Sequence, residues 1–360
     1  AERFGFEIPP ERKAPKRCGE IRSAPFATTF ARITSASCAA ASRTSHNKLI
    51  CKILKSRVNS NLELHKSART LAVILKKPKR IMKIIKLLTF LMLIISCSTQ
   101  KNLDKFTIED GVTVEKKDST KQYDEVYNAN NEIYNVGKKF IYSYFYQNTK
   151  GEKFLIKRGK PILQPQGYST YDWEFINLEK IDSETVKHLI LKPNLGNPFG
   201  EDDPEYNQTA IGYEYLMENG EKLASEITGA IENEMNLWMH PPRSNFFKIL
   251  ELNPFPYIKA PYKTGTKWDW KLSIGDHWSD KRWLEWKGRI DNVYNYEIKE
   301  NKTISTKLGN LECYIVQATA KSRIGETELI SYFNPKFGFV KLEYKNIDGT
   351  KTVLELENVE

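Results

Sequence analysis

Cysteine is scarce in this chain: five in 360 residues (Cys18, Cys38, Cys51, Cys97 and Cys313), of which only Cys97 and Cys313 lie beyond residue 96. That usage supplies neither a disulfide framework nor a zinc cluster. Residues 1–81 hold no Asp, Tyr, Trp or Met, and their apolar residues keep no sustained period, which excludes a self-supporting core there. No Gly-x-Ser-x-Gly, His-Glu-x-x-His, Cys-x-x-Cys or phosphate-binding glycine loop occurs, so the familiar hydrolase, metalloprotease, redox and nucleotide motifs are missing. His188, His240 and His277 are too dispersed to suggest a metal site, and no cofactor is read from the sequence.

What is present divides sharply near residue 97. Residues 1–96 carry 20 Lys and Arg against five acidic residues, a net +15, so of the chain's 55 basic and 45 acidic residues 35 and 40 fall after it, a net −5. The basic character belongs to the leader, and steering toward nucleic acid is not supported for the remainder. All seven Trp and all 18 Tyr also lie after residue 97, which marks the second part as the core builder.

Between the two parts, Met82-Lys83-Ile84-Ile85-Lys86 forms a charged start, Leu87 to Ile95 an apolar run, and Ser96-Cys97 a small-residue stop. The run is about nine residues, half of the ~20 that a membrane-spanning helix needs, so a cleaved signal is expected rather than a permanent span. Its end, Ile94-Ile95-Ser96-Cys97, resembles the lipobox of bacterial lipoproteins. The resemblance implies cleavage after Ser96, acylation of the Cys97 thiol and amine, and a membrane partner held through that lipid; more than one acyl chain gives stable anchoring. Ser98, where an inner-membrane retention signal would have Asp, favours the outer membrane, facing the periplasm. Residues 1–81 read as upstream or artefactual sequence, or as a disordered leader. An organellar transit peptide, also long, basic and poor in acid, is the alternative for that stretch.

Residues 97–122 are polar and read as a flexible tether, with a β domain over 123–360. Phe140, Tyr142, Tyr144 and Tyr146 alternate with Ile141, Ser143 and Phe145; Asn148-Thr149-Lys150-Gly151 turns; and Phe154 to Lys157 returns. Further strands are expected at 171–178, 186–191, 210–217, 227–238, 268–274, 283–290, 294–299, 313–320 and 328–333, and a last hairpin turns at Asn346-Ile347-Asp348-Gly349. Ser244 to Leu252 is the clearest helical stretch, stopped by Asn253-Pro254-Phe255-Pro256. The expected fold is mainly β: a curved antiparallel sheet or open half-barrel with one or two short helices.

Five Trp between Trp268 and Trp286 (Trp268, Trp270, Trp278, Trp283 and Trp286) are the densest unusual feature. Trp268 and Trp270 share one face of a strand, where two indoles either stack on a sugar or line an apolar cavity, or else fill the core. His240 and Arg243, flanking Pro241 and Pro242, offer cations to an anionic ligand, against the plainer reading of a rigid turn with solvated charges. Glu201-Asp202-Asp203 lacks the spaced ligands of a calcium loop. Cys313, in a strand-like run, reads as a small buried apolar residue.

Three segments carry a second resemblance: Gly265-Thr266-Lys267-Trp268, Thr306-Lys307-Leu308-Gly309-Asn310-Leu311-Glu312-Cys313, and Ser331-Tyr332-Phe333-Asn334-Pro335-Lys336-Phe337-Gly338-Phe339-Val340-Lys341. Together they resemble a periplasmic domain-of-unknown-function family that forms a half-barrel around a helix, similar in fold to the lipoprotein carriers of the Lol type. The resemblance implies a concave face able to hold a hydrophobic envelope ligand. The expected function is a non-enzymatic, anchored lipoprotein binding such a ligand or a protein partner. A glycan-handling lipoprotein using the indoles and an enzyme with an unrecognised site are the alternatives. Nothing in the sequence sets the oligomeric state.

Overall fold

Period-two alternation builds this chain. In Ile290–Thr306 the residues Ile290, Asn292, Tyr294, Tyr296 and Ile298 are buried between more exposed neighbours, and in Gly338–Lys345 Val340, Leu342 and Tyr344 are buried while Lys341 and Glu343 are not. Successive side chains of a strand leave opposite faces, so each such run commits one face to a core. The computed structural model describes residues 104–165 and 167–360; the signal segment, Ser96 and Cys97 lie outside the described residues.

The strands are β1 (Phe106–Glu109), β2 (Val112–Glu115), β3 (Phe140–Gln147), β4 (Lys153–Leu163), β5 (Ser169–Asn177), β6 (Val186–Asn194), β7 (Thr209–Met217), β8 (Lys222–Glu232), β9 (Asn236–Met239), β10 (Tyr257–Lys259), β11 (Lys267–Ile274), β12 (Ile290–Thr306), β13 (Gly309–Ser322), β14 (Gly325–Asn334), β15 (Gly338–Lys345) and β16 (Lys351–Val359). Fourteen of them form one antiparallel sheet in the order β10-β9-β8-β7-β6-β3-β16-β15-β14-β13-β12-β11, with β4 and β5 branching from β3. The terminal strands β10 and β11 do not pair, so the curved sheet stays open, as expected for a half-barrel. Register shifts at Ile298/Glu300, Tyr332/Phe333 and Leu356/Asn358 supply local bends that help such a sheet coil.

The space enclosed by the sheet is filled. Asn245–Leu252 forms a 3₁₀ helix whose Phe246, Phe247, Ile249, Leu250 and Leu252 are all buried. The Phe247 ring sits 5.2 Å from that of Tyr144 and 5.6 Å from that of Tyr215. The helix was expected, but its i to i+3 bonding was not: Phe247 N–H reaches the Ser244 carbonyl at 3.1 Å, and Asn253 N–H reaches that of Leu250 at 3.0 Å. A short segment between Pro241-Pro242 and Pro254 has little length in which to propagate α-helical bonds.

Three expectations on element boundaries are corrected. The stretch 227–238 is not one strand: Asn233 Oδ1 accepts the N–H groups of Met235 and Asn236, each at 3.0 Å, and folds a tight turn between β8 and β9. Residues 283–289 form an irregular segment, and β12 begins only at Ile290. Within the stretch read as a tether, β1 and β2 form a hairpin with Val112 and Val114 buried, followed by the short helix α1 (Tyr123–Tyr127).

That hairpin bridges the two free edges of the sheet. On the β9 side Thr113 bonds Asn236, and on β10 the Tyr257 hydroxyl donates to the Gly111 carbonyl at 3.2 Å. Against β11, Gly111 lies so close to Trp270 that a Cβ would fall 3.1 Å from its Cδ1, and its φ of +85° is one that glycine adopts without strain.

Candidate functional site

The residues singled out above are brought together only in part. Trp268 and Trp270 do share a face of β11, but it is the core face: Trp268 stacks on Tyr296 at 5.3 Å between centroids and Trp270 on Tyr294 at 4.8 Å. These two indoles, with Trp283 and Trp286, belong to the main core cluster, and only Trp278 is half-buried at its margin. They present no flat exposed array of the kind a sugar ring would stack on.

His240 and Arg243 do not converge on a common point. His240 follows β9, and its Nδ1 lies 2.7 Å from the Pro241 carbonyl, which can only accept, so Nδ1 carries a proton. Its Nε2 faces the buried Glu251 Oε1 at 3.2 Å, inside the protein. The Arg243 guanidinium donates to the Ile227 carbonyl at 3.1 Å and lies 5.9 Å from the Trp278 ring centre. Nearby, Glu226 receives the Arg243 N–H at 2.8 Å, the Ser244 hydroxyl at 2.6 Å and the Tyr215 hydroxyl at 2.7 Å. These contacts fix the start of the 3₁₀ helix.

A different place has the geometry of a site. A cleft of about 980 Å³ opens where the end of β8, the β8–β9 turn, the residues after β10 and the β14–β15 turn meet the segment 104–133. Leu237, Tyr262, Phe333 and Ile133 supply its apolar surface, and carboxylates and lysines, among them Glu115, Glu125, Lys105 and Lys116, interleave around it.

Glu232 anchors one wall. Its carboxylate takes the backbone N–H of Glu132 at 2.8 Å, of Ile133 at 2.7 Å and of Tyr134 at 2.8 Å. Burial raises its pKa from the ordinary carboxylate value, against the pull of those donors and of Lys138. Glu115 is likewise raised, chiefly by burial, although Asn130 and Asn233 donate to it at 2.5 and 3.3 Å. The cleft lining holds no His or Cys, and among the described residues no group of His, Cys, Asp or Glu is placed to hold a metal ion. The cleft therefore combines apolar side chains with charges of both signs.

The sequence offered no motif for this cleft, because its walls come from segments about a hundred residues apart, as in the Glu132–Glu232 bond. The one local signal was Asp110-Gly111 between Phe106 and Val112, a turn dipeptide flanked by alternating residues, which marks the hairpin on its border.

Fold and site together define an open, mainly β half-barrel with a filled concave side and a mixed-charge cleft at one end of its strands. No family model matches the chain, and no curated protein matches it. Similar solved structures include a protein of Bacteroides fragilis predicted to be exported, with a YmcC-like fold (13% identical, TM-score 0.37, covering 65% of this chain and 98% of that one). A predicted lipoprotein of Parabacteroides distasonis is 12% identical, with a TM-score of 0.37, over 63% of this chain and 97% of its own. The hypothetical lipoprotein YmcC of Escherichia coli is 8% identical, with a TM-score of 0.26, over 60% and 84%. Likenesses at this level assign no function to the chain.

Proposed function

We propose that the mature protein is a lipoprotein of the cell envelope, held to the outer membrane through acylated Cys97 and facing the periplasm, whose β domain binds an envelope ligand or a partner protein without catalysing a reaction. The observation that carries this reading is the segment Met82 to Cys97: a charged start, a short apolar run and Ile94-Ile95-Ser96-Cys97. The basic leader before it and the mildly acidic, aromatic-rich part after it support a processing boundary at the same place.

The cleft supports binding better than the concave face does. Phe246, Phe247 and Leu250 occupy the volume in which a carrier would hold acyl chains, whereas the cleft offers about 980 Å³ with both apolar and charged walls. The buried indoles give the glycan alternative no platform.

Two measurements test the reading. A palmitate analogue should label the protein expressed in a bacterial host, and Cys97→Ala should abolish the label and release the protein from membranes; unchanged labelling would reject the anchor. Native mass spectrometry of the protein extracted from envelopes should show a mass increment from a retained ligand or partner. A bare spectrum, under conditions that preserve control complexes, would count against the binding role.

A further inference from the structure

We infer that the cleft end of the domain rests against the bilayer that Cys97 enters, on a layer of zwitterionic, ammonium-bearing phospholipid headgroups. This rests on the anchor proposed above and adds an orientation to it.

The length of chain decides the matter. A flexible tether over residues 97–122 would let the domain roam by about 85 Å at the ~3.3 Å per residue of extended chain. The folded hairpin removes most of that reach. Phe106 already lies in β1, and the Lys116 N–H bonds the Lys105 carbonyl at 2.9 Å, extending the ladder to its open end. Only the seven steps from Cys97 to Asp104 remain outside it. They span at most about 25 Å, comparable with the height of the sheet itself, since the eight residues of β3 rise about 27 Å.

The exit point is at a defined end. Asp104 and Lys105 line the cleft together with Ala260, Tyr262 and Pro335. These sit at the end of the sheet where β3 begins and β14 turns into β15, while β4 and β5 branch from the opposite end at Gln147.

The chemistry of the exit end is a mosaic. Four lysines (Lys105, Lys116, Lys117 and Lys121) are set among seven acidic residues around the cleft (Asp104, Glu115, Asp118, Glu125, Glu132, Glu232 and Glu234), and Lys117 holds Glu205 at 2.7 Å. A uniformly basic face would suit anionic lipid; a face that carries both signs with acid in excess suits headgroups that present an ammonium beside their phosphate. The opposite end offers the contrasting surface: Ile162 and Leu163 at the β4–β5 tip are 47% and 74% exposed, with Tyr168 at 45%. On exposed apolar area alone, that tip would be the end chosen for membrane contact.

The two ends can therefore be played against each other. The full chain, expressed with its signal and reconstituted in vesicles of phosphatidylethanolamine and phosphatidylglycerol, would carry a benzophenone side chain either at Lys117 or at Leu163. Illumination is expected to give phospholipid adducts from position 117 and none from position 163. Adducts from 163, or from neither position, on protein whose mass shows acylated Cys97 overturn the orientation and leave the anchor standing. A mass without acyl chains on Cys97 removes the anchor, and the orientation falls with it. Repeating the cross-linking with phosphatidylglycerol as the only lipid should reduce the adducts from 117; an increase would overturn the preference for ammonium-bearing headgroups.

Discussion

The side-chain amide of Asn236 pairs with the backbone of Thr113 as a neighbouring strand would, accepting its N–H at 3.0 Å and donating to its carbonyl at 3.0 Å. Asn236 is fully buried, and Asn233 donates to the same carbonyl at 3.0 Å, so one short turn after β8 holds the hairpin that bridges β10 and β11. Asn236→Ala removes both bonds and leaves a buried N–H without its acceptor. The expected cost is about 2–3 kcal/mol, measured by denaturant unfolding. Amide hydrogen exchange should accelerate first at Val112 to Glu115. A loss confined to global unfolding, with no local acceleration, would mean that the hairpin is held by its valines instead.

Much of this fold is legible in the sequence because its signals are local. Strands such as β15 and β16 announce themselves by alternation and by the turn between them, and the prolines around 241 and 254 bracket the central helix. The hairpin was hidden by the polar composition around Val112 and Val114, although Asp110-Gly111 carries the turn. Alternation also misled at 283–289, where Trp283 and Trp286 are buried in irregular backbone. The cleft was not legible at all: Asn233, Glu232 and Tyr262 acquire their meaning from partners that sequence spacing does not identify.

The placement of Trp270 makes a sharp contrast between core and ligand platform. Its ring stacks on Tyr294 and meets Trp238 edge-on at 5.8 Å. Trp270→Ala should cost about 3–5 kcal/mol, the range for a large buried side chain, and Trp270→Phe distinctly less. A platform residue facing solvent would change stability by no more than about 0.5 kcal/mol. A variant as stable as the parent would therefore return the indole to the binding surface.

Cys313 lies fully buried on β13, and burial, helped by Glu312, pushes its thiol up to about 11. Burial also raises Tyr262 to about 12. Both groups hold their protons more tightly folded than unfolded. The stability they contribute is complete below the unfolded values, 9.0 and 10.0, and drains away as pH rises through the folded ones. Each pH unit inside a group's window costs about 1.4 kcal/mol. Unfolding midpoints should be level near neutrality on this account and fall from about pH 9. At pH 8 the thiol of the folded protein should resist iodoacetamide and react only after denaturant is added; prompt alkylation of the native chain would contradict its burial.

A buried ionisable pair such as His240 and Glu251 can be worth little and still be costly to break. Glu251 is 3% exposed, and His240 is packed against Phe255 with ring centres 4.6 Å apart. Nδ1 is turned to the Pro241 carbonyl, and Nε2 faces Glu251 Oε1 at 3.2 Å. Glu251→Leu alone strands the imidazole, and His240→Phe alone strands the carboxylate. Each should cost about 3–5 kcal/mol. The double replacement leaves neither group without a partner and should cost far less than the sum, because the desolvation of both groups is relieved together. Strictly additive losses in that cycle would mean that the two side chains do not interact. A double variant much less stable than the parent would give the pair a net stabilising role that its geometry does not predict.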